Sequence, residues 1–373
     1  MNLRMRYFIA LLLAFLVFPG VSAKTIRLGV MLPLHDDNGD GRRMVEYYRG
    51  VLMACDSLKK GGLSVDVHAW NTPEDCDIKE VLKDPAAAQC DLIIGPLYSR
   101  QVRALSDFIT EHDIKLLIPF SITAPALYSN RNIYQVYQNV NDFNTRNIDA
   151  FISQFEGYHP VIIDCNDSTS KKGTFTFGLR RKLESRNLAY SITNLKSGED
   201  AFNRAFSAER PNVVILNTGR HQELGVAFAK LNGLRAVHPN LDICLYGYTE
   251  WLGYTRLYLE QFYRYKVYVP AAFYTNLLSS ATLRLQQKYR WNFHQDMQQM
   301  QPRFALTGFD HAMFFLKGLE RMGKDFDGDA GHSSYIPVQT PLNFERIANG
   351  GQRNRVLQLI HYLPEQRVEI IKK

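Results

Sequence analysis

Asp91–Pro125 reads DLIIGPLYSRQVRALSDFITEHDIKLLIPFSITAP. Asp91–Ile94 is a short apolar run that stops at Gly95-Pro96. Ser99–His112 places Val102, Leu105, Phe108 and Ile109 at helical spacing. Lys115–Ile118 is apolar again and runs into Pro119-Phe120-Ser121-Ile122-Thr123. The order strand, helix, strand predicts a βαβ unit with a right-handed crossover. Both strand ends then fall on one edge of a parallel sheet, the edge where open sheets bind ligands. Tyr98, Ser99, Ser121 and Thr123 therefore belong at a cleft. The same hydroxyls also suit helix N-caps, where Ser and Thr are preferred.

Outward from this unit, the pattern repeats. Upstream are a strand (Thr25–Leu34), a long helix (Arg43–Lys60) closed by Gly61-Gly62, a strand (Leu63–Asn71) and a short helix (Ile78–Lys83). Tyr134–Val140 reads as a strand that leaves the lobe. Downstream, helices at Phe143–Phe155, Phe177–Ser185, Asp200–Ala208 and Gln222–Leu231 alternate with strands at Pro160–Asp164, Leu188–Thr193, Asn212–Leu216 and Leu241–Tyr246. This predicts a second α/β lobe of like size. Leu277–Tyr289 and Leu306–Met322 read as helices. Leu342–Ile347, Val356–Leu363 and Val368–Ile371 read as closing strands. The dense aromatics from Tyr246 to Tyr274 supply core, with a stacking platform as the second reading.

A chain of 373 residues with 46% hydrophobic and 22% charged residues is long enough for two well-cored domains and is not a disordered composition. Arg4 and Arg6, the apolar run Phe8–Phe18 and the small residues before Lys24 have the form of a secretory leader over residues 1–23. The run is short for a bilayer span. With no cysteine near the cut, the expectation is a soluble periplasmic or secreted protein and not a lipoprotein. The formal charge of +7 falls to +5 without the two leader arginines. The basic residues are dispersed, which points to a solvated surface and away from nucleic acid. The cysteines (Cys55, Cys76, Cys90, Cys165, Cys244) are odd in number. A helix between Cys76 and Cys90 keeps that pair too far apart to bridge.

No spacing supports a metal, a cofactor or a catalytic nucleophile. Asp36-x-Asn38-x-Asp40-Gly41 opens like a calcium loop, but Tyr47 stands where the bidentate glutamate is needed. Gly318–Lys324 imitates a phosphate loop, but Asp325 replaces the magnesium-holding hydroxyl and the stretch ends a helix. Neither G-x-S-x-G nor H-E-x-x-H occurs, and nothing argues for an enzyme. Arg220 and Glu250 each follow a second-lobe strand. They fit either surface charges or a site that meets a zwitterion, with Glu250 on an ammonium and the first-lobe hydroxyls and helix starts on a carboxylate.

Taken together, the chain resembles the type I periplasmic binding protein superfamily, in particular its branched-chain amino-acid-binding (leucine-binding-like) branch. The resemblance rests on Ile26–Leu34, Tyr48-x-Gly50 running into Lys59–Gly62, Asp75–Asp77, Ile94–Ser99, Ile118–Pro125 and Gly308-Phe309-Asp310. It implies two doubly wound parallel-sheet lobes joined by three crossovers. The lobes would be residues 24–140 plus 271–350 and residues 141–270 plus 351–373. It implies a ligand carboxylate near Ser99, Ser121 and Thr123 and an amino group at Glu250. The family's usual disulfide partner of Cys76 falls at Tyr98, so that bridge should be missing. Arg220 stands where the family has an aromatic, and Phe175 where it has a cleft tyrosine. Gly247–Trp251 and Leu342–Arg346 also resemble a bacterial subgroup attached to peptidoglycan-binding LysM repeats. Two functions are therefore expected in turn. The first is an exported solute-binding protein for an amino-acid-like or peptide-like ligand, serving an ABC transporter or a sensor. The second is a cell-envelope module that meets peptidoglycan or a cell-wall-synthase partner, with a vestigial cleft.

Overall fold

The computed structural model describes residues 25–121 and 123–373; the expected leader lies outside the described residues. The chain begins β1 (Ile26–Leu32), α1 (Gly39–Lys60), β2 (Val65–Asn71), α2 (Ile78–Val81), α3 (Pro85–Ala88), β3 (Leu92–Ile94), α4 (Ser99–His112), β4 (Lys115–Ile118) and β5 (Ile133–Gln135). It continues α5 (Val140–Gln154), β6 (His159–Asp164), α6 (Gly173–Ser185), β7 (Ser191–Asn194), α7 (Glu199–Asn203), β8 (Asn212–Leu216), α8 (His221–Val237), β9 (Ile243–Tyr246), α9 (Thr255–Arg264) and β10 (Tyr268–Ala271). It closes with α10 (Ser280–Phe293), α11 (Phe304–Met322), α12 (Ala330–Ser333), β11 (Phe344–Arg346), β12 (Gln352–Asn354), β13 (Gln358–Leu363) and β14 (Arg367–Lys372).

The strands form two seven-stranded sheets, in the orders β11-β12-β5-β4-β3-β1-β2 and β14-β13-β10-β9-β8-β6-β7. The first five strands of each set run parallel in the same order, with the topological switch beside the first strand. Short apolar runs such as Leu92–Ile94 and Asn212–Leu216 are buried throughout, as strands covered by helices on both faces must be. Antiparallel pairs appear only at the closing edges.

The last crossover differs from expectation. Residues 351–373 were expected in the second lobe. Instead Gln352 pairs with Tyr134 and Arg353 with Gln135 in the first sheet, and the chain crosses after Asn354. This strand has no apolar run to announce it. Its inward residues are polar and bonded: the Gln352 amide donates to the Asp327 carbonyl, and Asn354 Oδ1 accepts from the Asn343 and Val356 amides. The expected helix over 78–83 is a single turn, Ile78–Val81, and a second single turn starts at Pro85. The five cysteines carry no bridge. The Asp36–Gly41 loop turns its side chains to helix capping: Asn38 Oδ1 accepts from the Gly41 amide at 2.8 Å, and Asp40 pairs with Arg43.

Helices α1 and α11 cross on the first sheet with their backbones in contact. A Cβ on Gly50 would stand 1.9 Å from the Ala305 carbonyl oxygen, and one on Gly308 would stand 2.0 Å from that of Tyr47. Next along α11, the fully buried Asp310 gathers a loop. Its carboxylate accepts from Tyr335 OH (2.6 Å) and from the amides of Val338 (2.9 Å), Gln339 (2.8 Å) and Thr340 (2.7 Å). Burial still pushes its pKa up to about 6.

Three stability outcomes are expected. Gly308→Ala forces a methyl into backbone and should cost about 3 kcal/mol or more in urea unfolding, at the upper end of overpacking penalties. Gly233→Ala, in α8 with open space around it, should instead stabilise by about 0.5–1 kcal/mol. Asp310→Asn turns an amide N–H₂ toward backbone donors and should cost about 3 kcal/mol. Loss of less than 1 kcal/mol in either destabilising variant would contradict these contacts.

Candidate functional site

A cleft of about 930 Å³ opens between the carboxyl ends of the two sheets. Its two walls differ in chemistry. The first-lobe wall carries no charged side chain among the described residues: Pro119 and Phe120 follow β4, Val136, Tyr137 and Gln138 follow β5, and Thr307 and His311 come from α11, with Gln301, Thr340 and Asn354 as further neutral polar groups. Phe120 packs edge-on against Tyr47, ring centroids 5.4 Å apart. The second-lobe wall is charged and hydroxylic. It is built from the loops after β6 (Asp167, Thr169–Lys172), β8 (Thr218–Arg220) and β9 (Tyr248–Glu250).

The charges of the second wall are organised by one another. Lys172 Nζ pairs with Glu250 Oε1 and lies 4.8 Å from the centre of the buried Tyr248 ring. Gly219 leaves room for this pair, because a Cβ there would meet Lys172 Cε at 3.2 Å and Glu250 Cδ at 3.6 Å. Asp167 accepts from Thr169 Oγ1 (2.6 Å) and Thr218 Oγ1 (2.7 Å), and these bonds hold its carboxyl below the ordinary range. Arg220 Nη1 lies 3.6 Å from Asp167, and Arg220 Nε lies 3.4 Å from Glu223. Half of the Arg220 side chain remains exposed, at 49%.

Of the residues expected at the site, Phe175, Arg220 and Glu250 line the cleft. Phe175 does so from the core, 1% exposed and stacked on Tyr246 at 6.2 Å. Tyr98, Ser99, Ser121 and Thr123 are not among the described residues that line it. They gather at the ends of β3 and β4, where Ser99 Oγ and Ser121 Oγ share a 2.7 Å hydrogen bond and Ser121 Oγ donates to the Thr123 carbonyl. Tyr98 occupies the N-cap position of α4 without a side-chain cap bond. The aromatic run divides: Tyr248, Tyr254 and Phe273 reach the cleft, while Trp251, Phe262 and Tyr265 fill the second core.

Lys172, Asp167 and His311 were not anticipated. The first two lie in Asp167–Gly173, a polar turn between a strand and a helix, the same signal that marked Ser99. His311 gave no signal, because a histidine on an apolar helix reads as core. It is 0% exposed, and its Nδ1 meets Tyr47 OH at 2.9 Å.

No family model matches the chain, and no curated protein matches it in sequence. Solved structures do match its fold. One is a crystal structure assigned to a branched-chain amino acid ABC transporter from Rhodospirillum rubrum. It aligns with a TM-score of 0.59 at 16% identity, over 93% of this chain and 100% of that one. Another is full-length LpoA from Haemophilus influenzae, with a TM-score of 0.53 at 12% identity over 94% of this chain and 59% of that longer one. The chain has the type I periplasmic binding fold.

Burial lowers the His311 pKa from the ordinary 6.5 to about 3, so the folded chain keeps the ring neutral. Between those values the unfolded chain binds the extra proton. Stability from the neutral ring is complete above about pH 6.5 and drains as pH falls toward 3. At ~1.4 kcal/mol per pH unit, the wild type should lose about 2 kcal/mol more than His311→Gln between pH 7 and pH 5. Urea melts at the two pH values check this, and equal losses would contradict it.

Proposed function

We propose that this chain is an exported binding protein that closes its two lobes on a small amino-acid-like or peptide-like ligand, for uptake or sensing. One observation carries the reading: the cleft sets a charged, hydroxylic wall against an uncharged one that includes Phe120 and Val136. An amphipathic zwitterion satisfies both walls at once. Its carboxylate meets Arg220 and Lys172, its ammonium meets Glu250 and Asp167, and its apolar body lies on Phe120 and Val136. A cleft of this size is in the range of small-molecule sites. The fold shared with the Rhodospirillum rubrum structure supports a binding role over a catalytic one. Residues 25–354, less the second-lobe insertion, act as one jaw, and the second lobe acts as the other.

A second reading has its own support. The Ser99–Ser121 hydroxyls are closed on each other and Glu250 is already held by Lys172, as in a cleft that no longer works. The fold likeness to LpoA agrees with a cell-envelope interaction module whose partner is peptidoglycan or a protein.

Native mass spectrometry of protein purified without refolding, followed by denaturation and small-molecule analysis, separates the two. The expected result is a stoichiometric ligand, and a chain beginning at Lys24. Lys172→Met should weaken rebinding about tenfold, the effect of one charge-assisted contact at a partly buried site. An empty protein that shows no thermal shift with amino acids, short peptides or muropeptides would overturn the solute reading. Capture of an envelope partner by that empty protein would then establish the second.

A further inference from the structure

The described residues include ten buried side chains with a polar atom lacking a hydrogen-bond partner; of these, only His311 lines the cleft. The ring is fully buried, and one nitrogen is accounted for: Nδ1 lies 2.9 Å from Tyr47 OH. Among the described residues, His311 is the one hydrogen-bond partner of that hydroxyl. If Nδ1 carried the proton, the buried phenol proton would have no acceptor. If Tyr47 donates to Nδ1, every group of the pair is satisfied except one, and the proton on the ring sits on Nε2. The network thus assigns an Nε2–H donor without an acceptor. Its cleft neighbour Thr307, one helical turn earlier, is already occupied: Thr307 Oγ1 donates to the Arg303 carbonyl (3.2 Å) and accepts from Gln339 Nε2 (2.8 Å).

We propose that His311 is a ligand-binding residue of the cleft, whose Nε2–H donates to an uncharged carbonyl oxygen, so that the cleft takes a peptide or N-acylated molecule in preference to a free amino acid. This rests on the binding-protein reading above and narrows its ligand class. The first-lobe wall that carries His311 holds no charged side chain and includes Phe120 and Val136, which disfavours a carboxylate there and favours an amide, which keeps its hydrogen bond at low desolvation cost. The ring stays neutral in the folded chain, so it offers a donor and no charge. The charged lining residues, Asp167, Lys171, Lys172, Arg220 and Glu250, all belong to the second-lobe wall, where the charges of a peptide find their partners. A free amino acid places its one carboxylate on that wall and has no neutral carbonyl to offer His311.

The test uses full-length protein with trialanine as the probe and L-alanine as its contrast, by isothermal titration. Trialanine should bind at least tenfold more tightly than L-alanine. His311→Phe should weaken trialanine about tenfold, and His311→Gln, which keeps an N–H donor, should stay within about threefold of wild type. In ¹⁵N-labelled wild type, trialanine should shift the His311 Nε2 resonance. Unchanged affinity in His311→Phe alongside a loss in Lys172→Met would overturn the role of His311 and leave the cleft reading standing. Equal affinity for alanine and trialanine would overturn the preference for a peptide. No trialanine binding by the wild type, or no effect of either variant, would overturn both readings. Where His311→Phe does not fold, the wild-type spectrum decides, and an unmoved Nε2 resonance overturns the proposal.

Discussion

The contact on which the most depends is the backbone crossing of α1 and α11. Two glycines, Gly50 and Gly308, each sit against a carbonyl of the opposite helix, at distances no Cβ tolerates. The gain is proximity. With the axes this close, side chains one turn on from the crossing meet directly: Tyr47 OH reaches His311, and the buried Phe309 and Phe315 join the cluster under the sheet. Close-packed interiors transmit such constraints, because a core at this density has no slack to absorb a displaced helix.

The same helix then governs the joint between the lobes. Asp310 gathers the 335–340 loop, and that loop presents Gln339 to the second crossover. The Gln339 carbonyl accepts from the Tyr274 amide at 3.0 Å, and its Oε1 accepts from Thr275 Oγ1 and from the Arg303 amide. The first and third crossovers are tied to each other instead. Gln138 Nε2 donates to the Val356 carbonyl at 2.9 Å, Arg146 donates to the Arg355 carbonyl, and Arg353 pairs with Asp142. The crossovers are therefore held by two separate polar bundles, and only one of them hangs from α11.

The architecture was open to reading because parallel sheets announce themselves. A strand buried on both faces is a short apolar run, and its neighbour in sequence is an amphipathic helix. Asp91–Pro125 shows this pattern without ambiguity, and repetition of the pattern predicts the second lobe. What escaped were elements stabilised by side-chain polarity in place of apolar burial. β12 is held by the Gln352 and Asn354 amides, and nothing in its composition separates it from a loop. The site divides along the same line. Arg220 and Glu250 follow strand ends and are found by position. Lys172 follows one too, but eight residues past the end of β6, in a turn whose path a sequence does not reveal.

The hydroxyls show why position at a strand end is insufficient. Ser99 and Ser121 stand at the correct edge of the sheet, yet each has the other as a partner. A hydroxyl already bonded at 2.7 Å gains little from a ligand, since binding would exchange one hydrogen bond for another. The reverse holds at His311, which sits in an unremarkable helix and lacks a partner for one nitrogen. Recognition follows the unsatisfied group and the low-dielectric wall around it, because there the penalty of leaving a donor unmet is largest. Satisfaction of a polar atom is a property of the whole fold. It depends here on a glycine crossing that brings Tyr47, 264 residues away in sequence, to the other side of the same ring.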